Sequence, residues 1–246
     1  MKYFKIYCYV LILFLIGCAS NINDNDNYEA QFKEAMHLLE KEKYISAQEL
    51  LNTLSIRASH TDISDDIQFN LGEAYFLNEE YQLSIVEYNK LIRRMGFSPL
   101  VEQARWRICE SYVAMSPKYY LDQLSSEKAI ETIQEFLEDY PNSVHYGSAN
   151  KTVQDMRGKL GKKGFETGIL YIKLGAYDSA ILAFEHMLKK YYDTKYVSKA
   201  HLEIIRSYSL MKNMDMADEY YSTYKHTLSE ELDREANKIL QNIKNN

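Results

Sequence analysis

Asn70-Leu71-Gly72-Glu73-Ala74-Tyr75, followed by Tyr81, Ser84, Ile85, Tyr88 and Leu91 and closed by Pro99, is the stretch whose reading decides the fold. Apolar and small residues recur there every three or four positions, the period of a helix with one buried face. The run is too long for one short helix and is interrupted before Tyr81, so it reads as two helices folded back on each other. Gly72 on the first helix lets the second approach closely, Tyr75 fills the space one turn on, and Ser84 is the small residue by which the second helix meets the first. Pro99 stops any continuation, because proline cannot donate the helical hydrogen bond.

The same pattern recurs along the chain, and such a period is the signature of repeat architectures. The pair resembles a tetratricopeptide repeat. It can be laid on Ala35, Leu38, Tyr44, Ala47, Leu51 and Leu54, and again on Cys109, Tyr112, Ala129, Ile133, Phe136 and Pro141. A fourth copy is Gly168, Tyr171, Gly175, Tyr177, Ala180, Phe184 and Met187, and a fifth Ile205, Tyr208, Met214, Ala217, Tyr221 and Tyr224. The bulky Ile205 breaks the small-residue rule and suggests looser packing at the end. Small residues of the second helices stand at 47, 84, 129, 180 and 217, so the spacings are 37, 45, 51 and 37, all longer than the usual repeat of about 34 residues. The excess sits in a loop, Met115 to Glu127, and in Tyr146 to Gly164, where Ala149, Val153, Met156 and Leu160 keep helical spacing and extend the following helix into a rod. With three prolines and nine glycines in 246 residues, the expected fold is all-α, a superhelical solenoid of about five helix pairs, each covering its neighbour's apolar face.

At the other end, Leu15-Ile16-Gly17-Cys18 follows a short apolar run, Ile6 to Ile16, behind Lys2 and Lys5. The run is shorter than the roughly 20 residues of a membrane span and has the charged-then-apolar layout of a secretion signal. The four residues resemble the lipobox of bacterial lipoproteins, which implies cleavage after Gly17 and acylation of Cys18, with more than one acyl chain for stable attachment. Residues 1–17 are then signal and 18–27, polar and aperiodic, a lipidated tether. No other cofactor is expected than this covalent lipid.

The signal removes two lysines, leaving 27 basic and 35 acidic side chains and a formal charge of −8. That balance, without a basic run, argues against nucleic acid as a partner. Cys8 leaves with the signal and Cys18 is acylated, so Cys109 remains alone, no internal disulfide forms, and the thiol reads as a packed small residue. The six histidines, His37, His60, His145, His186, His201 and His226, show no short metal-ligand spacing.

A lipobox, a tether and five repeats together resemble the BamD family of lipoproteins, components of the machinery that folds β-barrel proteins into the bacterial outer membrane. Tyr140-Pro141-Asn142-Ser143 with Tyr146 and Ala149, and Gly175-Ala176-Tyr177-Asp178-Ser179-Ala180-Ile181, carry the likeness, which runs from about Tyr28 to Glu230. It implies a non-enzymatic adaptor on the periplasmic face of the outer membrane whose partners are a BamA-like barrel-assembly subunit and unfolded outer-membrane protein segments. Residues 28–145 would hold repeats 1–3 and residues 146–246 repeats 4 and 5. The chain departs from the family in having Ala183 where an arginine is usual and Gly164 where an acidic residue is usual, so a partner contact through that arginine cannot be made the same way.

Repeats of this kind bind peptides in the groove lined by their first helices. The register puts Phe32, Met36, Leu39, Phe69, Glu73, Phe76, Leu77, Trp106, Glu110 and Val113 there, an aromatic strip with two carboxylates expected to face solvent and capture clients. Trp106 would be the principal anchor. In the C-terminal pairs the same positions are Lys162, Phe165, Ile169, Ile172, Lys173, Lys199, Leu202, Arg206 and Ser209, and Phe165, Ile169, Lys173 and Arg206 are assigned to the partner interface by the resemblance. Glu73 and Glu110 are an acid–base pair in form only, since grooves of this type use carboxylates to hold peptides. A lipid-anchored scaffold gathering cell-envelope enzymes is the alternative function.

Overall fold

In a computed structural model, residues 24–244 are described; Cys18, the expected signal and residues 18–23 of the tether lie outside them. The described residues form eleven α-helices and no strand. The first pair is α1 (Asp24–Glu40) and α2 (Tyr44–Arg57), the second α3 (Ser64–Leu77) and α4 (Tyr81–Arg94). Then come α5 (Val101–Ala114) and α6 (Leu124–Asp139), α7 (Tyr146–Lys173) and α8 (Tyr177–Lys190), and α9 (Val197–Leu210) and α10 (Met214–Tyr224), with α11 (Glu230–Lys244) last. The tether ends earlier than expected, because α1 starts at Asp24; Gln31 donates to Asn27 Oδ1 at 2.9 Å, one helical turn apart. The loop after α5 is also shorter, residues 115–123, since α6 begins at Leu124. The segment from Tyr146 does continue into one 28-residue helix.

The chain divides into two compact units, Met1–Arg107 and Ile108–Asn246. The expected break after His145 is displaced because α6 packs on α7, so the third repeat's second helix belongs with the C-terminal pairs. In the first unit α1 packs on α2, α2 on α3 and α3 on α4. In the second, α6 packs on α7, α7 on α8, α8 on α9, and α9 on both α10 and α11. Apart from α9 with α11, these contacts join sequence neighbours, the arrangement in which stability is mostly nearest-neighbour.

The reason these residues pair is steric. Ala47, Ser84, Ala129, Ala180 and Ala217 are each 0% exposed, so the small residue on every second helix lies where two backbones come closest. Gly72 and Gly168 do the same on first helices, facing the buried rings of Tyr88 and Phe184. Four of the five hairpins turn by one device. Glu42, Glu79, Gly175 and Lys212, with φ from 56° to 74°, stand two residues before the second helix. In each, that residue and its successor donate back into the last turn, as in Glu79 N to Phe76 O at 3.0 Å and Glu80 N to Tyr75 O at 2.9 Å. This is the left-handed helix end with paired bonds that glycine favours, and only the fourth repeat uses glycine for it.

The C-terminal end is tighter than Ile205 suggests. Ile205 is 0% exposed, in a cluster with Leu202, Ala217, Ala236 and Leu240. The last two come from α11, beyond the five repeats, which covers the apolar face that the final pair would otherwise expose. Tyr221 donates to Asp233 at 2.8 Å across the same junction.

Candidate functional site

The strip expected on the first helices is largely interior. Phe32 and Met36 are half-buried against a cluster that includes Ala35, Leu39, Ala47 and Leu51. Phe69 is 7% exposed, with its ring 5.5 Å from that of Tyr88, and Trp106 is 8% exposed. Glu73 accepts from Arg107 at 2.6 Å and from the Tyr88 hydroxyl. The Arg107 guanidinium also lies over the Phe76 ring at 4.8 Å, and Phe76 packs edge-on to Tyr81. The expected open aromatic strip is therefore corrected. Phe69 and Trp106 are core, Phe76 is capped by an arginine, and Glu73 is spent on an internal ion pair. Glu110, partly exposed, belongs to the second unit. A helical period identifies an apolar stripe but not which flank the next helix covers.

The expected partner residues of the C-terminal pairs fare similarly. Phe165 is half-buried between Phe184 and Tyr196, with ring separations of 5.7 Å and 5.6 Å, and Ile169 packs into the same cluster. Arg206 is bound to Glu203 at 3.1 Å and to Glu235 of α11. Only Lys173 of the four is exposed. His201 is likewise internal: its Nδ1 lies 2.9 Å from the Tyr220 hydroxyl, its ring stacks on Tyr224, and burial, helped by His226, holds its pKa down to about 4. Cys109 is buried, with Sγ directed at the Thr132 carbonyl at 3.6 Å. Among the described residues, no group of three or more His, Cys, Asp or Glu side chains could hold a metal ion.

What the second unit does present is a cleft of ≈ 640 Å³ between the start of α6, the middle of α7 and the outer face of α8. Leu124 and Leu182, 73% and 66% exposed, and Tyr171 are its apolar walls. Lys163, Lys190, Glu127 and Asp122 form a charged rim, with Lys190 and Glu127 paired at 3.2 Å and Lys163 donating to the Leu121 carbonyl at 2.7 Å. Gly164 and Ala183 both line it. A Cβ on Gly164 would stand 2.7 Å from Met187 Cγ and 2.8 Å from its Cβ. No acidic side chain fits there while α7 and α8 are this close.

Reasoning from the repeat register missed this cleft because it follows first helices, whereas Leu124 and Leu182 project from second helices. A usable signal was in the sequence. The buried stripe of α8 is Ala180, Ile181, Phe184 and Met187, and Leu182 is a large apolar residue off that stripe.

Over 219 residues the chain is 22% identical to an outer membrane protein assembly factor BamD of Vibrio cholerae serotype O1, a match covering 83% of this chain and 89% of that one. The BamD of Helicobacter pylori is 21% identical over 150 residues, covering 58% of this chain and 68% of that one. Among solved structures, a thermophilic tetratricopeptide protein of Thermus thermophilus matches 87% of this chain and 99% of that one at 13% identity, with a TM-score of 0.36. No helix among the described residues is long and apolar enough to cross a membrane. The model of the YfiO family, described as outer membrane lipoprotein, matches residues 24–226, most of the chain, and the chain therefore belongs to that family.

Proposed function

We propose that this protein is a lipid-anchored, non-catalytic adaptor in the assembly of outer-membrane β-barrel proteins, and that it docks the barrel-forming subunit in the cleft of its second unit. The family and the curated relatives, which are named as outer membrane protein assembly factors, support the process. The observation that carries the docking is the pair Leu124 and Leu182, large side chains left exposed across an open cleft with a charged rim. Exposed apolar surface bounded by polar groups marks interaction sites. Gly164 and Ala183 leave the cleft without an arginine or an acid of its own at those two positions, so the partner is held by apolar insertion and its own side chains fill the space on the α8 side.

Pull-down from detergent-solubilised membranes tests this. Leu182→Asp is expected to reduce recovery of the barrel-forming subunit by a factor of about 30, the loss of a ~2 kcal/mol anchor, while the melting temperature holds because Leu182 is exposed. Unchanged recovery, or recovery of peptidoglycan enzymes alone, would replace this reading with that of an envelope scaffold.

The anchor is Cys18, supported by the lipobox-like Leu15-Ile16-Gly17-Cys18. Cys18→Ser should shift the protein out of the membrane fraction, where the parent pellets. A Cys18→Ser protein that still matures and pellets would remove the lipid from the account.

A further inference from the structure

The two places where the chain exceeds the repeat length meet in space. Lys118, Tyr119 and Tyr120 come from the loop after α5, and Gln154, Asp155, Gly158, Lys159 and Lys162 come from the added part of α7. With Asp193, Thr194, Lys195 and Tyr196 of the turn after α8, they line a cavity of ≈ 800 Å³. It lies on α7 away from Leu160, Lys163, Gly164, Thr167 and Tyr171, the α7 residues of the docking cleft.

The chemistry of this cavity is cationic and aromatic in a chain with an excess of acids. Lys118, Lys159, Lys162 and Lys195 converge on it, and among the described residues none of the four is in a salt bridge. Lys159 Nζ donates to Ser116 Oγ and to the Pro117 carbonyl at 2.9 Å, and burial lowers its pKa from the ordinary lysine value. Lys162 Nζ stands 4.1 Å from the centre of the Tyr119 ring, and Lys195 Nζ 5.6 Å from that of Tyr196. Two carboxylates also line the cavity. Asp193 is held by Arg157 through both oxygens, at 2.8 Å to 3.0 Å, which leaves Asp155 as the one facing acid outside an ion pair. Four ammonium groups against one unneutralised carboxylate favour an anion. Rings at the walls favour a body with flat or apolar faces, and the volume is that of a small-molecule site.

We propose that this cleft binds a phosphorylated sugar, its phosphate among Lys118, Lys159, Lys162 and Lys195 and its ring against Tyr119 and Tyr196. Lysine serves phosphate as a point charge without needing the planar fork that arginine offers carboxylates. The phosphate sugar is either free or the headgroup of a lipid, and the two sources are separable. The inference does not depend on what the docking cleft holds.

Gly158 supplies the decisive variant. A Cβ built there has nothing within 4 Å, so a side chain leaves the helix unobstructed, Gly158→Phe puts a ring at the wall of the cavity that Gly158 lines, and replacing a mid-helix glycine does not weaken α7. Titration calorimetry of the full chain with N-acetylglucosamine 1-phosphate should give a dissociation constant at or below about 1 mM, weakening as salt is raised. N-acetylglucosamine itself should bind at least about tenfold more weakly. Gly158→Phe should abolish binding with the melting temperature kept or raised. Lys118→Gln/Lys195→Gln, both exposed positions, should weaken it about tenfold or more and decides the matter if Gly158→Phe fails to fold.

In the second arm, Cys18→Ser protein is floated with phosphatidylcholine vesicles with or without phosphatidylinositol. Binding to the phosphatidylinositol vesicles alone, lost in the same variants, assigns the site to a lipid headgroup. The proposal is overturned if neither probe binds, if the phosphate-free sugar binds equally well, or if the filled or charge-depleted variant binds as the parent does.

Discussion

Phe184→Ala is expected to lower the stability of the second unit by about 3–5 kcal/mol, the cost of emptying a ring-sized space in a core. Phe184 is 0% exposed and is the ring against which Gly168 of α7 lies. A Cβ at position 168 would come within 2.5 Å of Phe184 Cζ and 2.7 Å of Cδ1. Gly168→Ala therefore sets two effects against each other. Helix propensity favours alanine by about 1 kcal/mol, and overpacking against a ring that cannot leave costs about 1–3 kcal/mol or more. The steric term wins, and a net loss of up to about 2 kcal/mol is expected from the two figures together. Gly158→Ala is the control, with the same propensity gain and open space around the new methyl, so it should stabilise.

The pair is also expected to be coupled. Gly168→Ala with Phe184→Leu should recover at least about 1 kcal/mol relative to the sum of the single losses, because the shorter side chain gives way to the methyl. Urea unfolding of the four proteins measures this. Additivity within about 0.5 kcal/mol would mean that α7 and α8 do not meet through these two residues. Because such a stack is held by nearest neighbours, the loss should appear first in α7 and α8.

This contact also shows what was legible in the chain and why. Gly72 and Gly168 could be read as points of close approach because such a contact admits almost one residue type; the ring each faces could not, since the expected filler beside Gly72 is Tyr75 and the ring there is Tyr88. Ala47, Ser84, Ala129, Ala180 and Ala217 follow the same rule, and all are fully buried. The left-handed turns were legible only at Gly175. Glu42, Glu79 and Lys212 take the same backbone angles without the residue that announces them. Helix α11 escaped notice because it is not part of a pair; its Ala236 and Leu240 acquire a reason only when Leu202 and Ile205 are seen to need cover. The site was less legible than the fold for a related reason. The repeat pattern specifies which faces meet, and Phe69 and Trp106 lie within such a meeting. Leu124 and Leu182 lie outside it, where the pattern makes no demand and so offers no guide.

Glu73 gives the second large effect and the sharpest test of that correction. Glu73→Ala is expected to destabilise the first unit by about 2–3 kcal/mol, somewhat below the roughly 3–5 kcal/mol of a fully buried pair that loses one partner, because its side chain is 13% exposed and that of Arg107 26%. The mutation takes from Arg107 an acceptor at 2.6 Å and from Tyr88 the acceptor of its hydroxyl, in a place where water reaches poorly. Arg107→Lys should recover only part of the parent's stability, since lysine cannot both reach Glu73 and lie flat over Phe76. The exposed Lys128–Glu131 pair, at 2.8 Å, is the comparison, and Lys128→Ala should change stability by less than about 0.5 kcal/mol. A double-mutant cycle on Glu73 and Arg107 should return a coupling of about 1–3 kcal/mol. If Glu73→Ala instead unfolds at the parent's urea concentration, Glu73 is a free surface carboxylate after all and the open strip returns as a client site. The geometry argues the reverse: an acid that already accepts from an arginine and a tyrosine, with Phe69 and Trp106 buried on the same helices' packed side, is part of what holds α3, α4 and the start of α5 together.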